Sequence, residues 1–106
     1  MMASEDRRIA LEFKQRLGTL VRVLELRAFG SRARGDAAAG SNLDIFLVVD
    51  RIDAALRERI SEIAWAVGFE NGLVLSTLVV TLEQLKYGPI GVSPIIRQIE
   101  KEGIRL

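Results

Sequence analysis

The sequence predicts a domain of the α/β or α+β class. Three observations carry that expectation: short apolar runs at Leu20–Phe29, Ile45–Val49 and Leu73–Thr81, amphipathic stretches of helical period between them, and the alternation of the two along the chain. With 106 residues, 49% of them hydrophobic, the chain is expected to form one domain spanning residues 1–106 around a single core.

The first element is a helix from Ser4 to about Gly18. Ser4 is placed to cap it, Glu5 and Asp6 complement its positive end, Ile9, Phe13 and Leu17 recur every fourth residue, and Gly18 stops it. A strand is predicted over Leu20–Phe29, with Glu25 and Arg27 as a solvent-facing pair on one face. Gly30 and Ser31 then turn the chain. The serine either caps a helical turn or leaves its hydroxyl and the following N–H groups facing outward, where they would receive a phosphate oxygen. Arg32 and Arg34 add positive charge beside it.

Asn42, Leu43 and Asp44 open the next strand, whose body, Ile45–Val49, is apolar. Side chains two apart on a strand share a face, so Asn42 and Asp44 are expected to project side by side toward the Gly30–Ser31 turn. The segment Arg51–Gly68 reads as the clearest helix: Asp53 caps it and Ile52, Leu56, Ile60, Ile63 and Val67 form a stripe. Trp65 falls off that stripe among Glu58, Ser61 and Glu62, with Phe69 close in angle. Either another helix of the domain covers the ring, or Trp65 and Phe69 anchor a protein partner. After a turn at Asn71–Gly72, the strand Leu73–Thr81 is so apolar that both its faces are expected to be covered, with Ser76 and Thr77 its polar interruptions. A short helix over Leu82–Tyr87, a loop through Gly88, Pro89, Gly91 and Ser93, and a last helix capped by Ser93, opened by Pro94 and stopped at Gly103 complete the chain.

Composition removes several chemistries. No cysteine and no histidine occurs, so thiolate and imidazole ligands, nucleophiles and bases are excluded, and carboxylates, hydroxyls and arginines are left. The absence of cysteine also suits a reducing cytoplasm. Fifteen basic against fourteen acidic side chains leave no electrostatic imprint of a broad nucleic-acid surface, although Arg22, Arg27, Arg32 and Arg34 are candidates for a local patch. No apolar run approaches a membrane span and the first eleven residues are charged, so an untargeted cytoplasmic protein is expected.

Gly30, Ser31, ten intervening residues, then Asn42-Leu43-Asp44, flanked by Arg32, Gly35, Ser41 and an apolar strand, resembles the nucleotidyltransferase superfamily to which DNA polymerase beta belongs, in particular its minimal nucleotidyltransferases. The family pattern is Gly-Ser, ten residues, Asp-x-Asp; LVVTLEQLKYG, from Leu78 to Gly88, is similar to its following strand and helix. The resemblance implies a small mixed sheet flanked by helices, with Gly30, Ser31, Arg32 and, more weakly, Arg34 binding the phosphates of ATP or another nucleoside triphosphate. It also implies that Asp44 and Asn42 hold Mg2+, with Asp44 catalytic. The chain departs from the family in two places. Asn42 stands where the first aspartate belongs, and no acid occurs anywhere in Leu73–Thr81, where the third carboxylate is expected. Two magnesium ions roughly 4 Å apart need anionic ligands between them, and asparagine brings no charge. Asp36 lies in a loop that can approach; Asp50 is on the order of 20 Å away along the strand.

Two functions follow. One is transfer of a nucleoside monophosphate, AMP by preference, to a hydroxyl acceptor, with the protein serving as antitoxin to a helical toxin of the HEPN class that Trp65 and Phe69 would contact. The other is a module of the same fold that binds a nucleotide or partner without turnover. A second copy of the chain is a further candidate partner.

Overall fold

In the computed structural model, which describes residues 1–106, the chain runs α1 (Ser4–Leu17), β1 (Val23–Phe29), α2 (Gly30–Arg34), β2 (Leu43–Val49), α3 (Ala54–Asn71), β3 (Leu75–Thr81), α4 (Leu82–Tyr87), a 3-10 turn (Pro89–Val92), α5 (Pro94–Glu102) and β4 (Ile104–Arg105). The strands form one mixed sheet in the order β3-β2-β1-β4. β2 pairs antiparallel with β1 and parallel with β3, and β4 pairs antiparallel with β1. The expected small mixed sheet flanked by helices is therefore what forms.

Alternation along β2 divides the interior. Leu43, Ile45, Leu47 and Val49 face α1 and α3, where Ile9, Phe13, Leu17, Leu56, Ile60 and Val67 complete the larger core. Phe46 and Val48 face the other way, onto Ile96 and Ile99 of α5 and Val80 of β3, with Leu85 and Ile90 at the margin. Apolar side chains on both faces explain why β2 reads as a continuous hydrophobic run. It is the central strand, flanked on each edge.

Several elements differ from the sequence expectation. The first strand begins at Val23, not Leu20, because residues 18–21 turn after α1. Ser4 is the first helical residue and Ala3 the cap position, with no side-chain cap bond; Ser93, likewise, makes no such bond at α5. Asp53 does cap α3, its Oδ1 accepting from Leu56 N at 2.7 Å. That helix continues to Asn71, where Gly72 at φ 71° lets Leu73 N turn back to Gly68 O at 3.0 Å. The loop after Gly88 contains the 3-10 turn, and the two-residue β4 was not anticipated. β3 is an edge strand: Leu75, Val79, Val80 and Thr81 are buried, but Ser76 is exposed and Thr77 and Leu78 are half-buried, contrary to two covered faces. No helix is long and apolar enough to cross a membrane.

Candidate functional site

β1 delivers Phe29 to the end of the sheet directly opposite Asp44, its antiparallel register partner on β2. The chain then reverses through Gly30, whose φ of 76° belongs to the left-handed region. A Cβ on residue 30 would collide with Asp44 Oδ2. Glycine is thus required twice over, by backbone conformation and by the closeness of that carboxylate. The sequence motif brings together what its spacing promised, a tight turn and an acid.

Asp44 is half-buried, and burial pushes its carboxyl above its ordinary value with no hydrogen bond or neighbouring cation opposing the shift. A carboxylate held this way has unspent capacity to bind a cation. Ser31 lies inside the short helix α2; its hydroxyl caps nothing, and its carbonyl accepts from Gly35 N and Asp36 N. Asn42 is exposed and precedes β2, so it flanks Asp44 from the loop instead of sharing the strand. Across the parallel ladder the residue in register with Asp44 is Ser76, which is exposed. Paired residues on adjacent strands share a face, so Ser76 occupies the position a carboxylate of β3 would need.

The arginines separate. The Arg32 guanidinium donates to Asp6 Oδ1 at 2.8 Å through Nη1 and to the Ser41 carbonyl at 2.7 Å through Nε. Asp6 is 8% exposed, so this is a largely buried ion pair that fastens the start of α1 to the loop before Asn42. Arg34 is exposed, pairs with Asp36 at 3.2 Å and lines a cleft of about 170 Å³ with Phe29, Gly30, Ile95, Gln98 and Glu102. Of the two, Arg34 shares the Gly30 cleft. Arg27 is spent on Glu25 at 3.0 Å and on the Glu100 carbonyl, and this pair is about four-fifths buried, not solvent-facing. Arg22, exposed before the start of β1, lies at the opposite end of that strand from Gly30, so the four arginines form no common patch. Asp36 is engaged by Arg34, while Asp50 follows the far end of β2.

Sequence reasoning overlooked Asp6 and underused Ser76. Asp6 lies on the Ile9, Ala10 and Phe13 stripe of α1, a visible sign that it points inward; as a charge in the first turn it read as a dipole partner. Ser76 required the register of β2 against β3, which spacing does not give.

No group of three acidic, histidine or cysteine side chains is placed to hold a metal ion. The donors at this end of the sheet are one carboxylate, one neutral amide and one hydroxyl, a set that does not fit two magnesium ions. A single Mg2+ already carried on a triphosphate asks less of the protein, and the unpaired Asp44 carboxylate could supply a ligand to it, with the exposed Asn42 the neighbouring oxygen donor.

Trp65 and Phe69 stand apart from this site. They are 69% and 72% exposed and stack on one another, centroids 5.1 Å apart at 9°. No other helix of the domain covers them.

No curated protein matches the chain in sequence. Among solved structures, a protein described as a minimal nucleotidyltransferase superposes with a TM-score of 0.68 at 21% identity, covering 100% of this chain and 97% of that one. A toxin–antitoxin complex with AMP-PNP gives 0.64 at 17%, covering 97% and 72%. A mutant toxin–antitoxin pair, MntA-HpeT, gives 0.61 at 14%, covering 97% and 71%. At these identities the likeness establishes the fold. A sequence model of the nucleotidyltransferase domain matches residues 7–106, and with the Gly30–Asp44 geometry in place the chain belongs to the nucleotidyltransferase domain family.

Proposed function

We propose that this protein binds a magnesium–nucleoside triphosphate, with ATP the preferred candidate, and that nucleotidyl transfer at its site is feeble or lost. One observation carries the reading: a single half-buried, unneutralised carboxylate, Asp44, faces Gly30, while its register partner on β3 is Ser76 and the residue two before it is the exposed Asn42. In this reading Asp44 and Asn42 hold the ion on the triphosphate, the Gly30–Ser31 turn receives phosphate oxygens, and Arg34 contributes charge from the neighbouring cleft. The bound ion would supply neutralisation of polyphosphate charge. Arg32 serves by position, since its guanidinium is already occupied by Asp6 and Ser41. The similarity to solved toxin–antitoxin complexes supports extending the proposal to a biological role, the antitoxin-like member of a pair with a helical toxin of the HEPN class.

Calorimetric titration with ATP tests this. Binding is expected with Mg2+ and to weaken at least about tenfold without it or in Asp44→Ala, since a charged ligand contact is lost in each case. Radiolabelled adenylate transfer to a co-expressed partner is expected to stay near background. Robust transfer by the unaltered protein, abolished in Asp44→Ala, refutes the loss of turnover, and metal-independent ATP binding refutes the site.

A further inference from the structure

β3 closes one side of the sheet with only β2 as neighbour, and nothing on it discourages a further strand. Leu75–Thr81 carries no charge and no proline, the devices by which natural edge strands are blunted. The opposite edge is a two-residue strand bearing Arg105. Beside the open edge lies α3, running antiparallel to β3: Trp65 lines a cleft of about 320 Å³ with Leu75 and Thr77, whereas Arg57 lines the next one with Val79 and Val80, a cleft that Gln84, Pro89 and Ile90 also border.

Arg57, Ser61, Trp65 and Phe69 are spaced four apart, so they form one ridge along the exposed side of that helix. Arg57 at one end is an exposed cation, while the ion pairs around this helix are Arg51–Asp53, Arg59–Glu62 and Arg16–Glu70. Ser61, small, is in the middle. The stacked aromatic pair is at the other end.

We propose that this face binds a second copy of the chain, β3 pairing antiparallel with β3 about a two-fold axis near Leu78 and Ser61 to give one continuous eight-stranded sheet. The axis exchanges the ends of the ridge. It sets each Arg57 over the Trp65–Phe69 pair of the other copy, a cation against an aromatic face, and lets the two α3 helices approach where Ser61 is smallest. An edge strand, and a ridge with a cation at one end and stacked rings at the other, each match themselves about that axis, which favours a second copy over an unrelated protein. The reading is independent of nucleotide binding, because Asp44 and Ser76 face the other side of the sheet.

Sedimentation equilibrium on the full chain should show a species of twice 11.8 kDa. Trp65→Lys is expected to raise the dimer dissociation constant at least about tenfold, as loss of an aromatic anchor does, and Arg57→Glu to raise it less. Combining Trp65→Lys with Arg57→Glu should restore dimerisation, since the exchanged ends again carry opposite character. Both side chains are exposed, so circular dichroism should show an unaltered fold, and amide exchange along β3 should slow as protein concentration rises. A monomer at every attainable concentration, a dimer indifferent to Trp65→Lys, or Trp65 needed only for a heterologous partner would each overturn the proposal.

Discussion

Replacing Ser76 with aspartate adds an acid at a position fixed by the β2–β3 register, and its cost can be worked out. Ser76 is paired with Asp44 across a parallel ladder, which puts the two Cα atoms about 5 Å apart with side chains on one face. Asp44 is half-buried and Ser76 exposed, so an effective dielectric between about 20 and 80 applies and two charges at that distance repel by about 1 to 3 kcal/mol. Asn42→Asp, out in the loop, adds less, because Asn42 is exposed and outside the strand. The double variant Asn42→Asp/Ser76→Asp should therefore unfold at least about 5 °C lower than the parent in metal-free buffer at neutral pH, at about 4 to 8 °C per kcal/mol for a domain of this size. Magnesium at about one hundred times its dissociation constant should return about 2.7 kcal/mol to it. Differential scanning calorimetry with and without Mg2+ measures both numbers. The parent and Asn42→Asp should respond weakly to the metal, and adenylate transfer should appear only in the double variant. A double variant as stable as the parent without metal, or one that Mg2+ leaves unmoved, would show that residue 76 does not face Asp44 and refute the assignment of the missing acid to this position.

Four further outcomes are expected. Because burial raises the carboxyl of folded Asp44 above its unfolded value, the folded state binds the proton more tightly, so this residue's contribution to stability is greatest at low pH. That contribution falls as pH rises from the ordinary carboxylate range through the raised value. Asp44→Asn should consequently stabilise the protein at pH 7 and flatten the fall of urea-denaturation stability as pH rises above the ordinary carboxylate range, while losing magnesium–ATP binding. Gly30→Ala forces a side chain into a φ of 76° and into Asp44 Oδ2, so it should cost about 1 to 3 kcal/mol in chemical denaturation and weaken nucleotide binding in parallel. Asp6→Ala strands Arg32 in a site where the two side chains are 11% and 19% exposed, and should cost about 2 to 3 kcal/mol, below the range for a wholly buried pair. Arg32→Lys should not spare that loss, because one guanidinium fork serves both Asp6 and Ser41.

What could be seen in the sequence and what could not divides along one physical line. Helices and strands announce themselves by periodicity, which is local: α1 shows its Ile9, Phe13, Leu17 repeat, α3 its Asp53 cap, and β2 its apolar body, and all three lie close to where the pattern put them. A local sign was overlooked at Thr81–Gln84, where a Thr-x-x-Gln capping box starts α4 with bonds of 2.9 and 3.1 Å. The site is different in kind. The motif spacing brought Gly30 to Asp44 because a single β1–turn–β2 unit holds both, so one short loop fixes their separation. Whether Arg32 or Arg34 faces the cleft depended on Asp6, 26 residues earlier, capturing one of them. Which residue stands beside Asp44 depended on a parallel pairing closed only after the whole of α3. β3, likewise, has the composition of a strand covered on both faces yet lies at the edge, and the same apolar character that misleads about burial is what leaves an unblunted edge beside Trp65 and Phe69. An uncharged edge strand and two stacked, exposed rings both run against what a solitary small domain needs for solubility, and both lie on one face. A face that violates the same rule twice is accounted for by a single cause, the second copy proposed to cover it.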